Sequence, residues 1–155
     1  MKKAVGYYAY FLKVGTIAST VGLALSVLAQ IYSRFFMENA PSWTEEASRL
    51  FFIYAISFAA GLAYKQNYFV SLDLISAGLG HKMHAFLEKT IHGLVFILFL
   101  IIAVFSIAYI NIGLAEKSPS LGINMSVSFA SIFLMSFSIS FFSAQKIIQL
   151  QRKNT

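Results

Sequence analysis

The residues that could carry chemistry in this chain are few. Asp and Glu number 6 and Lys and Arg 12, together 12% of the 155 residues. The densest group is Glu45, Glu46 and Arg49. Glu45 and Arg49 stand four apart, acid before base, the favourable order for a pair on one helical face. Thr44 ahead of the carboxylates suits a helix start, because acids sit well at the positive end of the helix dipole. Two readings stay open: the charges cap a helix at a water interface, or they face a protein partner. In a second group, His84, Glu88 and His92 follow at steps of four, with His81 three residues before His84. A metal ion is conceivable there. The spacing matches no zinc motif, however, and a wetted interface helix is the expectation. Cys is absent, which removes disulfides and thiolate metal sites. Neither a Gly-x-Ser-x-Gly elbow nor a phosphate-cradling Gly-rich loop is found. The expectation is a chain with no enzymatic activity, no cofactor and no metal.

The elements that must position these residues are apolar. The chain is 58% hydrophobic with a mean hydropathy of +0.72, whereas a soluble domain averages about 25% charged residues. That gap predicts an integral membrane protein. A helix crosses a bilayer with about 20 mostly apolar residues. Stretches of that kind fall at 14–33, 44–64, 91–112 and 125–144. The predicted fold class is an all-α membrane protein of four transmembrane helices plus a short interfacial amphipathic helix, forming a single membrane domain over 1–155. The second span reaches full length only if the turn with Glu45, Glu46 and Arg49 is counted. Three charges then sit at the edge of the hydrocarbon, where a stranded charge costs several kcal/mol unless paired or wetted.

Along the chain, residues 1–13 mix Lys2, Lys3 and Lys13 with aromatics, as expected of a cytoplasmic lead-in. Small residues repeat every four positions at Ala18, Gly22 and Ser26, at Ala55, Ala59 and Ala63, and at Ser136, Ser140 and Ala144. Small faces of this kind let helices approach in lipid. The longest polar connection is 66–90. Within it Leu72, Ile75 and Leu79 have helical spacing over a segment too short to span. Lys and Arg set the orientation. With both ends inside, the inner segments hold Lys2, Lys3, Lys13, Lys65, Lys82, Lys89, Lys146, Arg152 and Lys153, and the outer ones Arg34, Arg49 and Lys117. This excess predicts cytoplasmic N- and C-termini. The net charge of +6 points to anionic lipid and not to nucleic acid.

The order Arg34, Trp43-Thr44-Glu45-Glu46, Arg49, Gly61, Val70-Ser71-Leu72-Asp73-Leu74-Ile75 and Ser118-Pro119-Ser120-Leu121-Gly122 resembles the small membrane subunit of tripartite ATP-independent periplasmic (TRAP) transporters, the DctQ-like family. Two positions depart from the family's usual pattern: Phe69, where a His is common, and Asn124, where a Pro is common. The resemblance implies a scaffold in the bacterial inner membrane. Such a subunit braces a large membrane subunit, which carries the substrate and sodium sites and moves as an elevator. It also helps dock a periplasmic substrate-binding protein that captures a carboxylate, of the C4-dicarboxylate or sialic acid class. By the same resemblance, Arg34, Trp43, Glu45, Glu46 and Arg49 lie near the periplasmic face as interface residues, and Asp73 orders the cytoplasmic connection. A rival reading is a free-standing, oligomeric small membrane carrier or channel. It needs polar faces that meet in an oligomer, and the Ser-rich fourth span is the candidate.

Overall fold

The computed structural model describes residues 2–37, 41–66 and 81–153. Four helices occupy them: α1 Lys2–Phe36, α2 Trp43–Lys65, α3 His81–Gly113 and α4 Ser126–Lys153. All four contain a stretch long and apolar enough to cross a membrane. In hydrocarbon every backbone polar group must be satisfied within the segment, so long apolar runs close on themselves as helices. Both prolines, Pro41 and Pro119, fall between helices, where their missing N–H and fixed φ break no helical ladder.

The helices run past the expected spans. The expected lead-in over 1–13 is helical from Lys2 and continuous with α1, which at 35 residues is about 52 Å long. The third helix starts at His81, inside the expected polar connection. The interfacial segment around 70–79, with Asp73, lies outside the described residues.

The helices alternate in direction and lie side by side in the order α1, α2, α4, α3. The α1 N-terminus and the α4 C-terminus therefore lie at one end of the bundle, the terminal end, with the α2 C-terminus and α3 N-terminus. The α1 C-terminus, the α2 N-terminus and the segment between α3 and α4 lie at the other, the loop end. In the outer helices 11% of the most apolar window is buried, against 33% for α2 and 39% for α4, so the outer pair offers its surface to lipid or to another protein. The core joins Leu12 of α1, Ala60 and Tyr64 of α2, and Ile139 and Phe142 of α4.

Small residues line the α1–α2 seam, and two of the three expected ones, Gly22 and Ser26, lie in it. Ala18 is exposed, while Ser19, Ser26 and Ser33 are buried. Phe58 and Phe51 pack over Gly15 and Gly22, where an added Cβ would stand 2.6 and 2.7 Å from ring carbons. The seam from Leu12 through Gly15, Ser19, Gly22, Ser26 and Ser33 repeats every seven residues. A strict step of four drifts around the helix, whereas a long antiparallel contact holds a 3.5-residue period. In α2 the buried face is Ser57, Ala60, Gly61 and Tyr64, not the Ala55, Ala59 and Ala63 stripe. Gly61 marks the closest approach to α4: a Cβ there would stand 2.6 Å from the Ser138 Cβ. Ser136 and Ser140 are buried on α4 as expected.

Hydroxyls inside the spans mostly bond back to their own helix. Thr16, Ser33, Ser57 and Ser138 each donate to the carbonyl four residues earlier, at 2.6–2.9 Å. A serine so satisfied behaves in lipid as a small, nearly apolar residue.

Candidate functional site

At the loop end, α2 begins next to the segment between α3 and α4. Thr44 is buried and sits inside the first turn, its hydroxyl donating to Pro41 O at 2.9 Å. The α2 N-cap is Ser42, which makes no side-chain capping bond. Glu46 is half-buried and points across to the neighbouring segment. Its Oε2 accepts the backbone N–H of Ser120 at 3.0 Å and of Leu121 at 2.9 Å. That segment is itself a closed turn. Ser118 N donates to Ile123 O at 2.8 Å, Gly122 N to Ser118 O at 3.0 Å and Met125 N to Glu116 O at 2.9 Å. Lys117 and Asn124 face each other as an antiparallel bridge. Gly122 has φ +69°, a left-handed conformation that favours glycine. One carboxylate oxygen accepting two successive amides is a charge-assisted anchor, so Glu46 holds the 118–122 turn against α2. A cavity of about 150 Å³ beneath it is lined by Glu46, Arg49, Leu50, Ser118, Leu121 and Ser128, among others. Close by, the Tyr54 hydroxyl donates to Val127 O at 2.6 Å and fastens α2 to the start of α4.

The other expected residues face outward. Arg49 pairs with Glu45 at 3.8 Å, with side chains 74% and 62% exposed. Trp43 is half exposed. Arg34 is exposed in the last turn of α1, where a cation complements the negative helix end. Glu45, Glu46, Arg49 and Trp43 thus share the first turns of α2 but divide between surface and interior. Asp73 is outside the described residues.

The terminal end carries a polar network that the sequence did not flag. Tyr64 OH lies 2.6 Å from His92 Nδ1 and donates to Ser143 Oγ at 2.9 Å. Ser143 Oγ donates to His92 O at 2.7 Å. A carbonyl only accepts, so the serine hydrogen is committed there and the tyrosine hydrogen goes to the serine. By donor count His92 Nδ1–H must then donate to the tyrosine oxygen. The three bonds form a closed ring through α2, α3 and α4. All three residues are buried. His92 had been expected on a wetted face, yet it is 3% exposed. Among the described residues no three His, Asp or Glu side chains gather as a metal site. Lys146 completes the cluster: its Nζ donates to Tyr64 O at 2.7 Å and lies 4.6 Å from the Tyr64 ring centre. On the α1 side, the Tyr8 hydroxyl lies 2.7 Å from Ser138 Oγ. The serine's hydrogen goes to Leu134 O, so the tyrosine is the donor. The one signal for this network in the sequence is the pair of ring hydroxyls at span ends, Tyr8 and Tyr64, which lipid leaves without a water partner.

Four helices, each with a stretch long and apolar enough to cross a membrane and joined by side-chain bonds at both ends of the bundle, define a polytopic helical membrane protein. The family model for tripartite ATP-independent periplasmic transporters, DctQ component, matches residues 23–153. The chain belongs to that family, the small membrane component of TRAP transporters. The family in general works with a large membrane component and a periplasmic binding protein. A comparison with curated proteins finds no match.

Proposed function

We propose that this chain is the scaffold subunit of a sodium-coupled TRAP importer in the bacterial inner membrane, with no catalytic activity of its own. It braces the large elevator subunit, which moves a carboxylate of the C4-dicarboxylate or sialic acid class, and it helps dock the periplasmic binding protein. The observation that carries this reading is the pinned array. At the loop end Tyr54 fastens α2 to α4 and Glu46 holds the 118–122 turn, and at the terminal end Tyr64, His92 and Ser143 join α2, α3 and α4. An element that moves through a bilayer does work only against something held still, and a laced sheet of helices supplies that. The Lys and Arg excess at the terminal end favours the cytoplasm there. On that orientation the turn at 118–122, with Trp43, Glu45, Arg49 and Arg34 beside it, faces the periplasm as the docking surface. Glu46 contributes by shaping that surface from within.

The rival, a free-standing oligomeric channel, needs the fourth span to present hydroxyls to a pore. Ser136, Ser138, Ser140 and Ser143 are instead buried, and Ser138 and Ser143 spend their hydrogens inside the bundle. The test is reconstitution in liposomes under a sodium gradient. The chain alone is expected to accumulate no solute. The large subunit alone is expected to be inactive or unstable, and the pair with a binding protein active. Solute uptake by the chain alone would overturn the proposal.

A further inference from the structure

Ala9, Tyr10 and Lys13 of α1 and Leu62, Lys65 and Gln66 at the end of α2 line a half-open groove of about 410 Å³. Tyr10 also borders a shallower hollow of about 550 Å³ along α1, lined by Lys3, Gly6 and Tyr7. Gly6 has open space where a side chain would stand. Lys13 and Lys65 thus share one groove, and Lys3 stands in the hollow next to it. Neither Lys13 nor Lys65 forms an ion pair among the described residues; the ion pair there is Glu45–Arg49, at the opposite end. Lys65 keeps a loose contact, 5.9 Å from the Phe142 ring centre. Two lysines in one groove repel each other unless an anion joins them.

The level of the groove identifies the anion. A helix of 35 residues, about 52 Å, overruns a hydrocarbon layer of about 30 Å, so the first turns of α1 stand among the lipid headgroups. Below Lys65 the groove has an apolar wall, Leu62, and Ala9 lines it one turn nearer the terminus than Lys13. The stripe begun by Tyr10 continues along α1 through Val14, Ile17 and Val21, all exposed. A charged mouth above an exposed apolar stripe complements a molecule with an anionic head and an acyl tail. We propose that the α1–α2 groove binds one anionic phospholipid of the phosphatidylglycerol type. Its phosphate lies between Lys13 and Lys65, its headgroup hydroxyls meet Tyr10 and Gln66, and a chain runs along Val14 and Ile17. Lys3, Tyr10 and Lys13 precede the residues that the family model covers, whereas Leu62, Lys65 and Gln66 lie within them. The site rests on the chain crossing a membrane and not on its role in transport.

The test uses the full chain in detergent, doped with phosphatidylglycerol or with phosphatidylcholine, and native mass spectrometry reads the retained lipid. The wild type is expected to retain phosphatidylglycerol selectively. Each lysine contributes about 5-fold in affinity at the headgroup level, so Lys13→Gln with Lys65→Gln is expected to weaken retention about 30-fold. Lys13→Arg with Lys65→Arg should keep it, as should Lys89→Gln, which removes a lysine elsewhere. If the double Gln variant does not fold, either single variant alone should show the smaller loss. Unchanged retention in the Gln variants overturns the proposal. So does displacement of the lipid by inorganic phosphate, which would make the groove a site for a soluble anion. It is overturned equally if the double variant keeps its lipid but no longer copurifies with the large subunit, since the lysines would then meet protein.

Discussion

The two ends of the bundle are fastened by different chemistry. At the loop end a single charged side chain, Glu46, reaches from α2 to two backbone amides of a turn 74 and 75 residues away. At the terminal end Tyr64, His92 and Ser143 close a buried ring of hydrogen bonds. The carboxylate sits where water can still reach it, so its charge costs little, and its bonds hold a loop and not a helix pair. The ring lies between three helices, where an unmade bond has no water to replace it. The terminal end should therefore govern whether the helices stay together, and the loop end should govern the shape presented outside the membrane.

Tyr64→Phe sharpens this contrast most. It removes two interhelix bonds, worth about 0.6 kcal/mol each and up to about 1.7 in a membrane, and it leaves the His92 imidazole buried without its partner. A global loss of about 2 kcal/mol is expected, measured as a lower thermal midpoint in detergent and less copurification with the large subunit. Ser143→Ala should cost less, and in the Tyr64→Phe background it should add little, because the two share one ring. Full additivity in that double-mutant cycle would mean that the ring does not act as a unit.

Glu46→Ala comes next, with a local effect. The Ser120 and Leu121 amides lose their acceptor, so hydrogen exchange in 118–122 should speed up while the thermal midpoint moves less than with Tyr64→Phe. Glu46→Gln keeps one acceptor oxygen and should fall between wild type and Ala. Uptake with a binding protein should drop along that same series if the turn is a docking surface. Should Glu46→Ala instead lower the midpoint as far as Tyr64→Phe does, the division between the two ends fails.

How much of this was legible in the sequence follows from what a residue type reveals without its neighbours. Long apolar runs announce membrane helices because the bilayer leaves the backbone one solution, and the four helices fall where hydropathy puts them. Glu46 stood out because a carboxylate at the edge of an apolar span is rare. That it would serve the Ser118–Gly122 turn was not legible, since a contact 74 residues apart leaves no local pattern. Glu45 and Glu46 look alike in the sequence; their difference is helical phase, which turns one outward and the other onto the turn. His92 misled because its spacing to Glu88 and His84 suggested a wetted face, while its true partner lies on another helix. The small stripe on α1 was right at Gly22 and Ser26 and wrong at Ala18, because a step of four ignores the 3.5-residue period of a long antiparallel seam. Asn124 stands where the resemblance leads one to expect Pro. The bridge bonds around it use Ser118 N and Met125 N as donors, so this position supplies no N–H that a proline would lack.

The smallest effect is expected at Glu45. Its pair with Arg49 is long, at 3.8 Å, and both side chains are mostly exposed. An exposed i, i+4 pair contributes about 0.3–0.5 kcal/mol at most and is screened by salt. Glu45→Ala should therefore leave the thermal midpoint and the exchange of residues 118–122 at wild-type values. Any change should appear only in the on-rate of the binding protein, since a rim charge steers encounter more than it holds a complex. That change should fade as ionic strength rises. A comparison of Glu45→Ala with Glu46→Ala at low and high salt separates adjacent carboxylates that look alike in sequence. Glu46→Ala should lose docking at both salt concentrations, because it deforms the turn. Glu45→Ala should lose it only at low salt, because it removes a screened charge. Equal, salt-independent losses would mean that both carboxylates shape the surface and that helical phase does not divide them.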